Sequence, residues 1–136
     1  MKPVYDVLEK NRGKVIYFDF WARWCPPCLA EMEPLKQLRS KFSTDDLIIY
    51  SICVSEPKEP WEECLNEYSL KNRGIECVHV TDYLGIDNYQ KIRKQWKIDR
   101  MPYYILINRQ GQIIDFGTAA RPSNPQLVSR IEEAVK

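Results

Sequence analysis

The chain carries almost no net charge: twenty basic residues against nineteen acidic ones leave +1, and neither sign forms a long run. A nucleic-acid groove or a contact with an anionic membrane needs a concentration of positive charge that is missing here. Apolar stretches are short, so none could span a bilayer as a helix. Met1-Lys2-Pro3 does not open a secretory signal, because no apolar stretch follows it and charges arrive at Asp6, Glu9 and Lys10. The protein is therefore expected to be cytoplasmic, or else a domain cut from a longer, exported precursor. Cysteine is sparse too. Five, at positions 25, 28, 53, 64 and 77, are too few and too unevenly spaced for a disulfide scaffold in 136 residues.

What is present suits a compact core. Hydrophobic residues make up 44% and aromatic ones 12%, which argues against disorder. A chain this long buries roughly two-thirds of its unfolded surface. Val4, Val7 and Leu8 have helical spacing and predict a short helix over residues 3–11, ended near Gly13. Val15 to Ala22 is an apolar and aromatic run broken only by Asp19, the pattern of a central strand covered on both faces. Pro26 and Pro27 fit the first turn of a helix running to about Lys41, with a kink at Pro34.

Leu47 to Val54 reads as a second buried strand. Trp61, Cys64, Leu65 and Tyr68 mark a helix over 58–72 closed by Gly74, and Cys77 to Val80 a short strand. Tyr89, Ile92 and Trp96 indicate another helix. Tyr103–Ile107 and Gln112–Phe116 read as a hairpin around Asn108 to Gly111. A last helix starts at Ser123-Asn124-Pro125-Gln126, with Leu127, Ile131 and Ala134 facing inward. No repeat or linker interrupts this order. The expectation is one α/β domain over 1–136, its mixed central sheet flanked by helices on both faces.

Only Cys25 and Cys28 have a spacing that carries meaning alone. Two cysteines separated by two residues at a helix start can close a small disulfide ring and reopen it. Cys25 sits where strand passes into helix, so unpaired backbone N–H groups and the helix dipole favour its thiolate, the attacking species in exchange. Cys28, one turn further in, is placed to resolve the mixed disulfide. Pro26 and Pro27 stiffen the ring, and neither can donate an N–H to sulfur. A zinc site would need a second half with ligand spacing, whereas Cys53, Cys64 and Cys77 are scattered and His79 is the only histidine. Haem attachment would need histidine where Leu29 stands. No metal or other cofactor is expected beyond a redox-active Cys25–Cys28 disulfide. Asp19, in the middle of the most hydrophobic strand, should have a raised pKa; its alternative role is a structural acid paired with a lysine.

Phe18-Asp19-Phe20-Trp21-Ala22-Arg23-Trp24-Cys25-Pro26-Pro27-Cys28 resembles the active-site strand and turn of the thioredoxin superfamily. Glu31-Met32, Ile105-Leu106-Ile107-Asn108-Arg109-Gln110-Gly111 and Ala120-Arg121-Pro122-Ser123 are similar to its TlpA/ResA-like branch. The likeness runs from about residue 4 to 135. It includes a central helix–strand insertion over about 58–80 and a C-terminal hairpin plus helix. A peroxiredoxin, which shares the insertion, would carry a lone peroxidatic cysteine in another motif.

The resemblance implies a thiol–disulfide oxidoreductase acting on protein substrates, recharged by an upstream electron donor, monomeric, in the periplasm or cell envelope. It also implies that Asp19 accepts a proton from Cys28 and that Glu31 tunes the pair, although Glu31 also reads as an ordinary first-turn acid. Pro102 is expected to be cis, with the Met101 backbone pairing with the substrate chain. Trp24 offers a docking surface beside Pro26 and Pro27, while Trp21 packs around the turn or in the core. Cys53, Cys64 and Cys77 read as small buried apolar residues, with a Cys64–Cys77 bridge as the alternative, and His79 as a strand residue. Two rival functions remain at this level: a copper-handling metallochaperone of the same fold using Cys25, Cys28 and His79, and a redox-silent binding domain.

Overall fold

The computed structural model describes residues 7–55, 57–83 and 85–136. Among them five strands form one sheet: β1 (Val15–Trp21), β2 (Leu47–Cys53), β3 (Ile75–His79), β4 (Tyr103–Ile107) and β5 (Ile113–Gly117). All seven residues of β1, VIYFDFW, are buried. A strand with no polar face is stable only at the centre of a sheet covered on both sides, and the strand order β3-β2-β1-β4-β5 puts it there. β1, β2 and β3 are mutually parallel, with Asp19 opposite Ser51 and Ser51 opposite Cys77. β4 runs antiparallel to β1, with Asp19 opposite Tyr104, and β5 runs antiparallel to β4. The antiparallel part is thus the whole hairpin laid against β1.

Helices cover both faces. On one lie α1 (Pro26–Ala30), α2 (Met32–Ser40), α3 (Glu59–Glu67) and α6 (Pro125–Val135). Leu35, Leu38, Leu127 and Ile131 pack there on Tyr17, Ile49 and Leu106. On the other lie α4 (Val80–Tyr83) and α5 (Ile86–Gln95) with the helical residues 7–10. Val7, Tyr89 and Ile92 close over Phe18, Phe20, Tyr50 and Ile105. The remainder of the helix expected over 3–11 lies outside the described residues. No helix of the described residues is long and apolar enough to cross a membrane.

Several boundaries differ from the sequence expectation, each for a local reason. The helix after the cysteines does not kink at Pro34 but breaks at Glu31 (φ −89°, ψ 0°), three residues earlier. Pro34 has no N–H for the Ala30 carbonyl, and its ring crowds that carbonyl, so the disruption falls in the preceding turn. The helix expected over 58–72 ends at Glu67, because Ser69 takes a left-handed conformation (φ 55°). Leu70 N–H then reaches the Leu65 carbonyl and Ser69 N–H that of Asn66, a Schellman closure that buries Leu70. Gly74 instead takes the positive φ, 76°, that turns the chain into β3. β3 starts two residues earlier than expected, and Val80 opens α4, which periodicity did not indicate.

At the end of the sheet where β1 starts, Arg109 joins three segments. Its guanidinium donates to the Gly13 carbonyl (2.9 Å), to Asp46 Oδ1 (3.0 Å) and to the Val135 carbonyl (2.7 Å). The β4–β5 turn is thereby held to the approaches to β1 and β2 and to the end of α6 at that pole.

Candidate active site

Cys25 and Cys28 lie at the opposite pole, beyond the end of β1. They are joined in a disulfide with Cα atoms 5.3 Å apart. Cys25 is the N-cap of α1 in extended conformation, and Pro26 and Pro27 occupy the first two helical positions. With those two N–H groups missing, the first free donor is Cys28 N–H, and it points at Cys25 Sγ (3.2 Å). The prolines therefore remove two of the helix-start donors and leave one aimed at the sulfur. Cys25 is 4% exposed and Cys28 1%, while Trp24 stands 68% exposed beside them and Pro26 and Pro27 are exposed. Trp21 is fully buried, its indole N–H donating to Ser51 Oγ (2.9 Å).

The Met101–Pro102 peptide bond is cis. Met101 packs against the apolar cluster that holds both site cysteines, Trp21, Met32 and Cys53. The Pro102 carbonyl accepts a hydrogen bond from Thr118 Oγ1 (2.9 Å). This tie, from the turn after β5, had no signal in the sequence pattern.

Asp19 is 3% exposed, and its Oδ1 has no hydrogen-bond partner. Burial, reinforced by the charge of Glu31, pushes its carboxyl up to about 8. Among the described residues no lysine or arginine forms an ion pair with it, so the reading as a lysine-paired structural acid finds no support. Glu31 occupies the break between α1 and α2, where Ser123 N–H donates to Oε1 (2.9 Å) and Ser123 hydroxyl to Oε2 (2.7 Å). Tyr104 and Tyr17 stack on the same face with ring centroids 5.7 Å apart, and burial raises both phenols.

The other three cysteines are free; no Cys64–Cys77 bridge forms. Burial pushes the Cys77 thiol up to about 11 and also raises Cys53 and Cys64. His79 is buried at the end of β3, where Nδ1 accepts Thr81 N–H (3.2 Å). Nε2 then carries the hydrogen donated to the Ser55 carbonyl (2.7 Å). Both ring nitrogens are engaged. No cluster of metal-ligating side chains occurs among the described residues.

Five strands in this order, with a cysteine pair following the central strand and a cis-proline opening its antiparallel neighbour, make up the thioredoxin-like arrangement of the TlpA/ResA-like branch. The chain belongs to the Redoxin family, whose sequence pattern matches residues 4–135. It is 26% identical over 108 residues to the thiol-disulfide oxidoreductase ResA of Bacillus thuringiensis, covering 79% of this chain and 57% of that one. The chain thus spans a little over half the length of that curated relative. A Bacteroides vulgatus protein assigned as a thiol-disulfide oxidoreductase, solved in solution, is 33% identical with a TM-score of 0.72, covering 93% of this chain and 76% of that one. A thiol:disulfide interchange protein from a Bacteroides species superposes with a TM-score of 0.76 at 23% identity, over 94% of this chain and 77% of that one. This last likeness is one of fold.

Proposed function

We propose that the protein exchanges dithiol and disulfide with protein substrates, as a reductant in the cell envelope. The observation that carries this reading is the Cys25–Cys28 disulfide at a helix start with Cys28 N–H directed at Cys25 Sγ. In the reduced protein that donor and the helix dipole favour the Cys25 thiolate. The thiolate attacks one sulfur of a substrate disulfide; the other sulfur leaves as a thiolate and takes a proton. Cys28 then gives its proton to Asp19 and attacks Cys25 Sγ, closing the ring; the substrate sulfur that was bound to Cys25 leaves as a thiolate and takes a proton, so the substrate departs as a dithiol. Two electrons pass to the substrate, and a dithiol donor must return them. A buried carboxyl raised to about 8 accepts that proton more readily near neutral pH than an ordinary aspartate would.

Trp24, Pro26 and Pro27 supply the docking rim, and the Met101 backbone before cis-Pro102 supplies main-chain pairing for an extended substrate. The envelope location rests on likeness to ResA-type proteins. The copper-handling alternative is disfavoured by His79, whose two nitrogens are already committed. Insulin reduction by the wild type and by Cys25→Ser, with copper titrated in parallel, tests the reading. Turnover in the wild type and none in the variant is expected; absence of turnover together with tight copper binding would sink it.

A further inference from the structure

The segment between β5 and α6 is tied to three parts of the site. Thr118 Oγ1 donates to the Pro102 carbonyl, Tyr17 hydroxyl donates to the Ala120 carbonyl (2.6 Å), and Ser123 gives both its N–H and its hydroxyl to Glu31. Asn124 fixes the segment further, its side chain accepting Gln126 N–H and donating to the Ala119 carbonyl. Ser123 thus stands on a braced support, while Glu31 sits on a helix break with no side-chain cap of its own. A carboxylate there, three rotatable bonds from the backbone, would otherwise turn toward water.

We propose that Ser123 is a positioning residue for the exchange site: its two donors hold the Glu31 carboxylate after Cys28 and fix where that negative charge stands relative to Asp19. The proposal deepens the exchange reading above and takes its mechanistic meaning from it. The groups that interact electrostatically with Asp19 are Tyr17 on its own strand, Tyr104 on β4, Cys53 on β2, Cys77 on β3 and Glu31, and Arg23 acts on Cys53. Arg121 acts on Tyr104 and Asp115 on Tyr17. Among the described residues, Glu31 is the one charged group that raises Asp19. Without the Ser123 hydroxyl the Glu31 carboxylate is held by a single donor, swings outward, and presses less on Asp19. The proton that Asp19 takes from Cys28 is then bound less firmly.

The test is a carbon-13 titration of the Asp19 carboxyl in the oxidised protein, which needs no turnover. In the wild type the midpoint should lie at about 8. Ser123→Ala should lower it by on the order of half a unit, and Glu31→Gln by more. Ser123→Thr, which keeps a hydroxyl, should restore it. Ser123→Ala added to Glu31→Gln should shift nothing further, a coupling that mere loosening of the segment would not produce. An unchanged midpoint in Ser123→Ala, or an equal drop with and without Glu31, would overturn the proposal. Insulin reduction assayed alongside separates the two readings: an inactive wild type overturns exchange and not the clamp.

Discussion

Cys25–Cys28 and the other cysteines occupy one apolar cluster, yet their backbone settings are opposite. Cys53 and Cys77 lie within strands of the sheet, and Cys64 lies inside a helix. Burial holds all three as thiols, Cys53 against Ser55 Oγ and Cys77 donating to the Leu70 carbonyl. Cys25 is as buried as these by area, but it caps a helix and receives an N–H on its sulfur. Seclusion alone therefore does not decide reactivity. On the proposed reading the supply of unpaired backbone donors does, and among the described cysteines the one at the strand–helix junction receives such a donor.

The largest effect that could break this comparison is on turnover. Cys25→Ser should bring insulin reduction down to the uncatalysed rate, and Cys28→Ser should trap a mixed disulfide visible by mass spectrometry. Residual turnover in Cys25→Ser, lost on removing Cys53 or Cys64, would mean the buried thiols also serve. Next comes alkylation of the reduced protein at neutral pH. Cys25 should react about a hundredfold faster than Cys53, Cys64 or Cys77, as read by peptide mapping; comparable rates would erase the distinction.

Asp19→Asn sharpens the electrostatic side. In the folded protein Asp19 is raised from 3.8 to about 8, so the native state binds more protons than the unfolded chain between those values, and stability falls as pH rises through the window. Asp19→Asn should remove that loss, raising stability above pH 8 by up to about 6 kcal/mol in urea melts while slowing exchange. A pH-independent change would mean the carboxyl is not raised. The smallest effect concerns packing. Cys53→Ala should cost about 1 kcal/mol with insulin turnover unchanged, since Cys53 fills space in the cluster; a drop in turnover would give it chemistry.

What could be read from the sequence follows the range of the interactions. The seven-residue run of β1 and the strand-then-Cys-Pro-Pro-Cys junction announce themselves locally, because burial and helix-start chemistry are written in consecutive residues. Asp19 stands out for the same reason, as the one charge in that run. Pro34 marks a kink in the sequence, but the break falls at Glu31, since a proline's effect lands on the turn before it. Ser69 ended α3 where glycine was expected, because burial of Leu70 repays its left-handed conformation. Most hidden were Thr118 to Pro102 and Ser123 to Glu31: two ordinary hydroxyls that act 16 and 92 residues away.

The Arg109 knot has a practical corollary. It pins Val135 to the pole where β1 begins, whereas the disulfide lies beyond the other end of that strand. A tether attached at Lys136 would therefore leave from the far side of the molecule, and a support or fluorophore coupled there would present the sulfur pair outward to an incoming polypeptide.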